Sequence, residues 1–365
     1  MSSNNLSGND GGQIGFEAAI SAREAETVAE FAHRKTVLER LQHLLHETPW
    51  LASLLVLLAS LAAFGILVGA RFFSAYALTL ILQQVMITGI VGVAQALVIL
   101  TAGIDLSVGA IMVISSVLMG QCAFTYGLGA PLAILCGFAL GAGIGAVNGL
   151  LIAGMKLPPF IVTLGTWQIV LAANYLYSSN QTIGATQIQL KAPLLQYLGN
   201  TFTLGGANGA TFTYGVILML ALVLLFAYIL RHTAWGRHVY AVGDDPDAAA
   251  LAGVRVTRML ISVYTLSGLI SAVAGWALIG RIGAISPNSG QFENINSITA
   301  TVIGGISLFG GRGSILGMIF GALIVGVFTL GLNMYGTDPQ WTYLLIGALI
   351  IVAVAVDQWI RKGIV

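Results

Sequence analysis

The stretch Thr101-Ala-Gly-Ile-Asp-Leu-Ser-Val-Gly-Ala110 contains Asp105, the one acidic residue between Glu47 and Asp244. Long uncharged apolar runs lie on both sides of it. A carboxylate at bilayer depth costs ~2.5–3.5 kcal/mol on insertion scales, so it persists only where a neighbouring helix, backbone amides or a water-filled path satisfies it. The stretch therefore predicts a functional break inside a membrane protein. The alternative is that Asp105 only caps a helix that begins near Leu106.

The composition of the whole chain agrees with a membrane protein. Hydrophobic residues make up 57% of its 365 residues and charged residues 8%, and the mean hydropathy is +0.90. Soluble domains have a much more polar balance. The net charge of +1 indicates no nucleic-acid partner. Cys122 and Cys136 both lie in apolar runs, so we expect small buried packing residues and no metal site or disulfide framework.

Uncharged stretches predict the membrane-spanning helices, because a helix needs about 20 residues to cross a bilayer. The stretch 106–155 is long enough for two spans, with a turn at 126–131, which brings the count to about ten. We therefore predict an all-α polytopic membrane protein. The stretches are 48–70, 72–104, 106–155, 157–190, 192–230, 259–280, 294–311, 313–337 and 339–356.

The basic residues predict the orientation, because Lys and Arg near span ends stay in the cytoplasm. With the N-terminus inside, twelve basic residues fall on the cytoplasmic side and three on the outer side. The twelve are Arg23, Arg34, Lys35, Arg40, Lys156, Arg231, Arg237, Arg255, Arg258, Arg312, Arg361 and Lys362, and the three are Arg71, Lys191 and Arg281. Ten spans also return the C-terminus to the cytoplasm. We expect a multi-pass protein with both termini cytoplasmic.

The first 49 residues differ from the rest of the chain. They hold seven of the fourteen acidic residues and no apolar core, so we expect a cytoplasmic tail that is neither a signal peptide nor a span. Residues 50–365 form the predicted transmembrane domain. Apolar residues at helical spacing in 37–45 fit an amphipathic helix on the inner membrane surface, whereas residues 1–25 fit a disordered leader equally well.

Two series of glycines predict how the helices pack, because helices in lipid associate through close backbone approach. Gly137, Gly141, Gly145 and Gly149 form one face, and Gly313, Gly317 and Gly321 form another. Each face fits either a sliding surface or static tight packing. In addition, 103–109 is echoed by Gly305-Ile-Ser-Leu-Phe-Gly-Gly311, which hints at an internal repeat with broken helices, as in many transporters.

The loop 231–258 is the one predicted cytoplasmic loop between spans that is long enough to hold structure of its own. Within 244–253, Asp245 is a capping residue, Pro246 suits the first helical turn, and Gly253 suits the end of a helix. A short rigid helix between basic flanks suits docking to another protein. An ordinary surface helix is the alternative.

Several segments together resemble the permeases of ribose, xylose and fructose ABC importers, within the superfamily of branched-chain amino acid and monosaccharide permeases. The resemblance covers roughly Leu51 to Ile360 and leaves out the acidic tail. The segments are Gly103-Ile-Asp-Leu-Ser-Val-Gly109, Asn148-Gly-Leu-Leu151, Lys156-Leu-Pro-Pro-Phe-Ile-Val-Thr-Leu-Gly165, residues 243–254 and Gly304-Gly-Ile-Ser-Leu-Phe-Gly-Gly-Arg-Gly-Ser314.

The resemblance implies a permease subunit in the bacterial inner membrane that works in a pair, most simply a homodimer. It implies a periplasmic sugar-binding protein that delivers the monosaccharide and a separate cytoplasmic ABC ATPase. In relatives the loop matching 231–258 engages the ATPase, so the resemblance assigns ATPase coupling to five residues of that loop. These are Asp244, Asp245, Ala248, Ala249 and Gly253.

The sequence itself contains no phosphate-binding loop that would make the chain its own motor. Such a loop needs a glycine-rich run that ends in Lys-Ser or Lys-Thr. Lys35-Thr36 is the one such dipeptide, and His33 and Arg34 precede it. We therefore expect no ATP hydrolysis, no catalytic residue and no cofactor in this chain.

Polar residues within the spans are the candidates for sugar contact, because a sugar needs amides and carboxylates for its hydroxyls and aromatic faces for its C–H surfaces. Taken singly, each of them fits hydrogen bonding between helices better than sugar contact. Asp105, Asn148 and Trp167 are the main choices, with Gln95 and Asn296 next, although Asn294 and Asn296 suit contact with the binding protein as well. The full set is Gln95, Asp105, Asn148, Trp167, Gln168, Asn174, Glu293, Asn294, Asn296 and Asn333.

The expected mechanism is alternating access driven by the partner ATPases. Three other classes fit the architecture: a permease for branched-chain amino acids or a signalling sugar, an ion-coupled secondary transporter, and a membrane scaffold without transport. A secondary transporter usually relies on several buried ionisable groups, and Asp105 alone is a thin basis for it.

Overall fold

A computed structural model of the chain describes residues 48–204, 209–290 and 292–362. Residues 1–47 of the predicted N-terminal tail lie outside the described residues, and so does the amphipathic helix predicted within 37–45. The described chain consists of helices and one β-hairpin. Its helices are α1 (Pro49–Val68), α2 (Ala75–Leu100), α3 (Val108–Phe124), α4 (Ala130–Met155), α5 (Pro159–Ser178), α6 (Ala185–Lys191), α7 (Tyr214–His232), α8 (Ala234–Asp244), α9 (Pro246–Leu251), α10 (Val256–Ile282), α11 (Glu293–Ile303), α12 (Ile315–Tyr335) and α13 (Pro339–Lys362).

The predicted all-α polytopic class is confirmed. Within the described residues, seven helices are long and apolar enough to cross a membrane, namely α1, α2, α4, α5, α7, α10 and α12. α3 and α13 contribute shorter apolar segments. With α11 these make ten helices in the order of the ten predicted spans. Two of them, α3 with 17 residues and α11 with 11, are shorter than the ~20 residues of a regular bilayer-crossing helix.

Two predicted spans differ in extent from the helices that replace them. The stretch 157–190 contains α5, which ends at Ser178, and the separate short helix α6. In 192–230 the spanning helix α7 begins at Tyr214, after a 3₁₀ helix (Pro193–Gly199) and strands β1 (Thr201–Leu204) and β2 (Ala210–Thr213). The strands pair antiparallel with Phe202 opposite Phe212. Alternating Thr and Phe favour such a hairpin. The predicted spans were defined only by the absence of charged residues, which does not distinguish an uncharged hairpin from a membrane helix.

The predicted span 294–311 is also replaced by a shorter element. α11 has 11 residues, too few to cross a bilayer, and residues 304–314 form a connection before α12. Gly305, Gly310, Gly311 and Gly313 in this connection all have positive φ. Glycine adopts that conformation without the steric cost that other residues meet, so the glycine-rich run ends the helix.

The first predicted glycine face forms a close helix contact, and so do Gly317 and Gly321 of the second, whereas Gly313 lies before α12 in the connection and is not part of a helical face. A Cβ at Gly145 would lie 2.2 Å from the backbone oxygen of Tyr264, so α4 packs directly on the backbone of α10. A Cβ at Gly321 would lie 1.9 Å from the backbone oxygen of Ala300, so α12 packs in the same way on α11. These contacts follow the small-residue rule for helices in lipid.

The two segments that suggested an internal repeat are both connections between helices. The first, residues 101–107, lies between α2 and α3, and the second, residues 304–314, lies between α11 and α12. We call them the first break and the second break. Gly310 of the second break packs on Ala102 of the first, and the backbone N–H of Gly311 donates a hydrogen bond of 3.0 Å to the carbonyl of Leu100, the last residue of α2. The repeat itself stays a prediction.

Candidate functional site

Asp105 lies at the centre of the first break and is completely buried. Its Oδ1 accepts hydrogen bonds from the backbone N–H of Ser107 at 2.8 Å and from the Ser107 hydroxyl at 2.6 Å. The Ser267 hydroxyl of α10 donates to Oδ2 over 3.4 Å. The carboxylate thus bonds Ser107, the N-cap residue of α3, rather than the free amides of the first helical turn. It orders the break that precedes the helix.

A chain of side-chain hydrogen bonds ties the first break to α4 and α5. Asn148 Nδ2 donates to the Ser107 hydroxyl at 3.0 Å, and the Thr166 hydroxyl donates to Asn148 Oδ1 at 2.6 Å. Thr163 also donates to the backbone oxygen of Ile104 at 2.9 Å. Asp105 and Asn148 both have 0% exposed surface, so their side chains reach no solute in this conformation. Buried polar groups joined in this way hold the segment in one arrangement.

A cavity of about 130 Å³ lies beside the first break, between α3, α5 and the start of α11. Trp167 and Asn174 of α5 face Asn294 of α11 across it. Asn174 Nδ2 donates to the backbone oxygen of Pro287 at 3.0 Å. The Oδ1 atom of the same side chain is buried and has no hydrogen-bond partner within the described part of the chain. An aromatic side chain therefore lines the cavity, and a buried amide oxygen without a partner lies in its wall.

Asn294 connects this cavity with the first break. Its Nδ2 donates to the backbone oxygen of Leu106 over 3.4 Å. The neighbouring Glu293 accepts from Thr88 of α2 at 3.0 Å and from Asn296 over 3.4 Å. The N-terminal turn of α11 is thus fixed to α2 by Glu293 and to the first break by Asn294.

The structure separates the predicted solute contacts into three groups. Trp167, Asn174 and Asn294 line the cavity. Asp105 and Asn148 stabilise the break behind it, and Asn296 bonds Glu293 at its edge. The remaining residues lie elsewhere: Gln95 is buried in α2 with both amide atoms unpartnered among the described residues, and Gln168 and Asn333 are exposed.

Sequence reasoning missed the hydroxyls that complete the network and one aromatic residue of the cavity. Ser107, Thr166 and Ser267 bond Asp105 or Asn148, and Phe292 lines the cavity with 60% of its surface exposed. Serine and threonine occur in most spans, so nothing in the sequence distinguished these three. For Phe292 the sequence did give a signal, because this aromatic residue directly precedes the predicted candidates Glu293 and Asn294.

The predicted short helix in the loop 231–258 is present as α9. Asp245 Oδ1 accepts from the backbone N–H groups of Asp247 and Ala248, both at 2.9 Å, so it is the N-cap. Pro246 is the first helical residue, and Gly253 follows the helix with φ +87°. The predicted cap, first turn and glycine stop are therefore confirmed.

The surface of α9 differs from the predicted one in two residues. Ala249 has 5% of its surface exposed and packs into the core. Leu251 was not among the predicted coupling residues and has 92% of its surface exposed. The four arginines of the loop are exposed, as are the other predicted residues, which are Asp244, Asp245, Ala248 and Gly253. Leu251 is thus the exposed large apolar side chain of this short helix.

α8 positions α9 against the second break. The Tyr240 hydroxyl of α8 donates to the backbone oxygen of Gly313 at 2.9 Å. Burial raises the pKa of Tyr240 above its ordinary value, so the hydroxyl stays protonated and remains a donor at neutral pH.

Residues 77–354 match the family model described as the branched-chain amino acid transport system permease component. The chain belongs to this family of transport permeases. The permease is 65% identical to the fructose import permease protein FrcC of Rhizobium meliloti, over 95% of this chain and 96% of that protein. It is 36% identical to the ribose import permease protein RbsC of Bacillus subtilis, over 76% and 83% of the two chains. It is 31% identical to the xylose transport system permease protein XylH of Haemophilus influenzae, over 85% and 96%. No significant match to a solved structure was found.

The family match covers both breaks, the cavity and α9, so these features all lie within the permease region. Members of this family are transport components, and the several apolar helices place this permease in a membrane as a multi-pass protein.

Proposed function

We propose that this permease is the membrane subunit of an ATP-binding-cassette importer for a monosaccharide, with fructose as the first candidate. The observation that carries the proposal is the 65% identity to a fructose import permease over 95% of the chain. Similarity to ribose and xylose permeases supports the monosaccharide class more broadly. A separate cytoplasmic ABC ATPase and a periplasmic sugar-binding protein are the proposed partners.

The proposed orientation places α8 and α9 in the cytoplasm of a bacterial inner-membrane protein, with both termini on the same side. Arg231, Arg237, Arg255 and Arg258 flank these helices and are all exposed. Basic residues near span ends are retained on the cytoplasmic side. This arrangement presents α9 to the ATPase.

We propose that the sugar contacts Trp167, Asn174 and Asn294 during its passage. The Trp167 ring suits the C–H face of a sugar, and the unpartnered Oδ1 of Asn174 suits a hydroxyl donor. Asp105 and Asn148 support the pathway because they fix the first break beside the cavity. Asn296 supports it through its hydrogen bond to Glu293. Gln95 stays a candidate for a conformation other than the present one.

The contact at Asn174 is tested by Asn174→Ala in proteoliposomes. A hydrogen bond is worth about 0.5–1.5 kcal/mol, so the sugar concentration for half-maximal uptake should change by about two- to tenfold. Ile169→Ala is the matched control, because Ile169 lies on the same helix with 71% of its surface exposed. An unchanged concentration dependence at equal abundance would remove Asn174 from the pathway.

We propose that α9 docks into the ATPase through Leu251. Burying a leucine side chain stabilises a contact by about 1.5–3 kcal/mol, so Leu251→Ser should weaken ATPase binding by about tenfold or more. Leu190→Ser is the control, because Leu190 is similarly exposed at 80% and lies on α6. Titration of the purified ATPase into permease nanodiscs measures both. Equal affinities for the two variants would place the docking site elsewhere.

We propose that two copies of the permease pair, with α5 in the contact. Gln168 lies in the middle of α5 and is exposed, and in a single copy its amide would face lipid. Amides in lipid associate with a neighbouring helix. Gln168→Cys should therefore cross-link two copies under mild oxidation, whereas Leu224→Cys on the exposed face of α7 should not. Identical cross-linking of both variants would argue against this pairing.

The function itself is tested by reconstituting the permease with a candidate ATPase and binding protein and measuring ATP-dependent uptake of labelled fructose, ribose, xylose and leucine. The proposal predicts accumulation of a monosaccharide that needs ATP and both partners and resists a proton uncoupler. Leucine is included because the family description names branched-chain amino acids. Uptake of leucine alone, or uptake without ATP, would overturn the proposal.

A further inference from the structure

Three separate segments of the permease meet at Gly243 through their backbones. Gly243 is the last residue but one of α8 and is buried. A Cβ at this position would lie 1.8 Å from the backbone oxygen of Leu100 and 2.7 Å from the backbone nitrogen of Gly311. The backbone N–H of Gly311 and the carbonyl of Leu100 are themselves joined by the 3.0 Å hydrogen bond described above. Gly243 therefore packs directly on that hydrogen bond, and any larger residue would displace it.

Gly310 and Gly311 of the second break also pack on the backbones of α8 and the first break. A Cβ at Gly310 would lie 2.5 Å from the backbone oxygen of Gly243 and 2.8 Å from the backbone nitrogen of Ala102. At Gly311 a Cβ would lie 2.9 Å from the Cα of Asp244. We call the contact between Leu100–Ala102, Gly243–Asp244 and Gly310–Gly311 the glycine junction.

The glycine junction lies between the proposed docking helix and the cavity. On one side, Asp245 follows Asp244 directly and caps α9. On the other side, Leu100–Ala102 leads into the break that contains Asp105. The second break leads back to α11, which carries Asn294 in the cavity wall. Backbone atoms in van der Waals contact have no rotamers with which to absorb a displacement, so movement at one side is passed to the other.

From this geometry we infer that Gly243 is a positioning residue that couples movement of α9 to both breaks at once. The inference rests on the proposed function, because it needs an ATPase that moves α9. Tyr240, one turn earlier on α8, strengthens the same contact through its hydrogen bond to Gly313. A side chain at Gly243 separates α8 from the breaks, so the ATPase still docks and turns over while the cavity no longer follows.

The test measures sugar uptake and ATP hydrolysis in the same proteoliposomes, which contain the permease and its partners. Gly243→Ala should keep ATP hydrolysis and lower the number of sugars carried per ATP by roughly tenfold, within the range of coupling effects between sites. Gly154→Ala is the matched control, because a Cβ at Gly154 of α4 meets no atom within 4 Å. It should keep the wild-type ratio. A structural defect alone would lower uptake and hydrolysis together.

Tyr240→Phe is the second variant and decides the case in which Gly243→Ala does not assemble. It removes one hydrogen bond and adds no volume, so we expect the sugar-to-ATP ratio to fall by about two- to threefold with assembly unchanged. The inference is overturned if Gly243→Ala carries as many sugars per ATP as the wild type. If Gly243→Ala is absent from the membrane, a wild-type number of sugars per ATP in Tyr240→Phe overturns it instead. Failure of the wild-type permease to take up any sugar would instead overturn the proposed function.

Discussion

The two breaks occupy similar positions, each before an apolar helix, but different atoms hold them. The first break is fixed by side chains: Asp105 bonds Ser107 and Ser267, and Asn148 bonds Ser107 from α4. The second break and the helix after it are packed mainly through backbone contacts at glycines, such as Gly317 against Gly304, and Tyr240 adds one side-chain hydrogen bond to Gly313. The first break should therefore be sensitive to the loss of polar atoms, and the second to the addition of any atoms.

The largest expected effect is from Gly317→Leu at the second break. A Cβ at Gly317 would lie 2.1 Å from the backbone oxygen of Gly304, so α12 has to move away from α11. Because the clash is with backbone, no rotamer change relieves it, and the cost lies well above the ~1–3 kcal/mol of ordinary overpacking and above the cost of the lost polar contacts at the first break. We expect a large loss of folded permease in detergent, measured by size-exclusion chromatography and thermal unfolding. Gly347→Leu in α13 is the control, since a Cβ there meets nothing within 4 Å. Equal behaviour of the two variants would contradict backbone packing at this break.

A smaller effect is expected from Asp105→Ala at the first break. The substitution leaves the buried amide and hydroxyl of Ser107 without their acceptor, at about 1–3 kcal/mol for each unsatisfied group. We expect a lower unfolding temperature and reduced uptake. Asp105→Asn keeps an oxygen that accepts the same bonds, so its unfolding temperature should be closer to that of the wild type. If alanine and asparagine behave alike, the hydrogen bonds to Ser107 do not hold the break.

The smallest effect is expected from Ser267→Ala. Its hydroxyl donates to Asp105 over a long 3.4 Å, and Ser107 supplies the shorter bonds to that carboxylate. Hydrogen bonds between membrane helices average about 0.6 kcal/mol. A shift in unfolding temperature as large as that of Asp105→Ala would show that α10, rather than Ser107, holds the first break.

Much of the fold could be predicted from the sequence, because uncharged runs and helix-capping residues are local signals. Nine apolar helices of the described residues follow the predicted order, and the N-cap at Asp245 lies where the sequence placed it. The hairpin at 201–213 and the short α11 were missed. Both segments lack charged residues over most of their length, and an uncharged segment becomes a spanning helix only if its residues also favour a continuous helix.

The candidate site was predicted less completely. Trp167, Asn174 and Asn294 were among ten candidates without a way to group them, and the structure brings these three together at one cavity. Asp105 attracted attention as an isolated carboxylate, but its link to Asn148 depends on the hydrogen bond between Asn148 and Ser107, which lie 41 positions apart in the chain. No local pattern encodes a contact of that kind. The roles of these residues in transport stay predictions.

The sequence by itself determined that this chain is a helical membrane protein with a capped helix in the loop 231–258, and its motifs gave the resemblance to sugar permeases. Composition, charge spacing and capping residues act within one or two helical turns, so they can be read without a fold. The tertiary structure alone decided which polar residues face a cavity, that Ala249 is buried while Leu251 is exposed, and that Gly243 lies between the two breaks. Those properties depend on the close approach of distant segments, which is decided by the packing of the whole bundle.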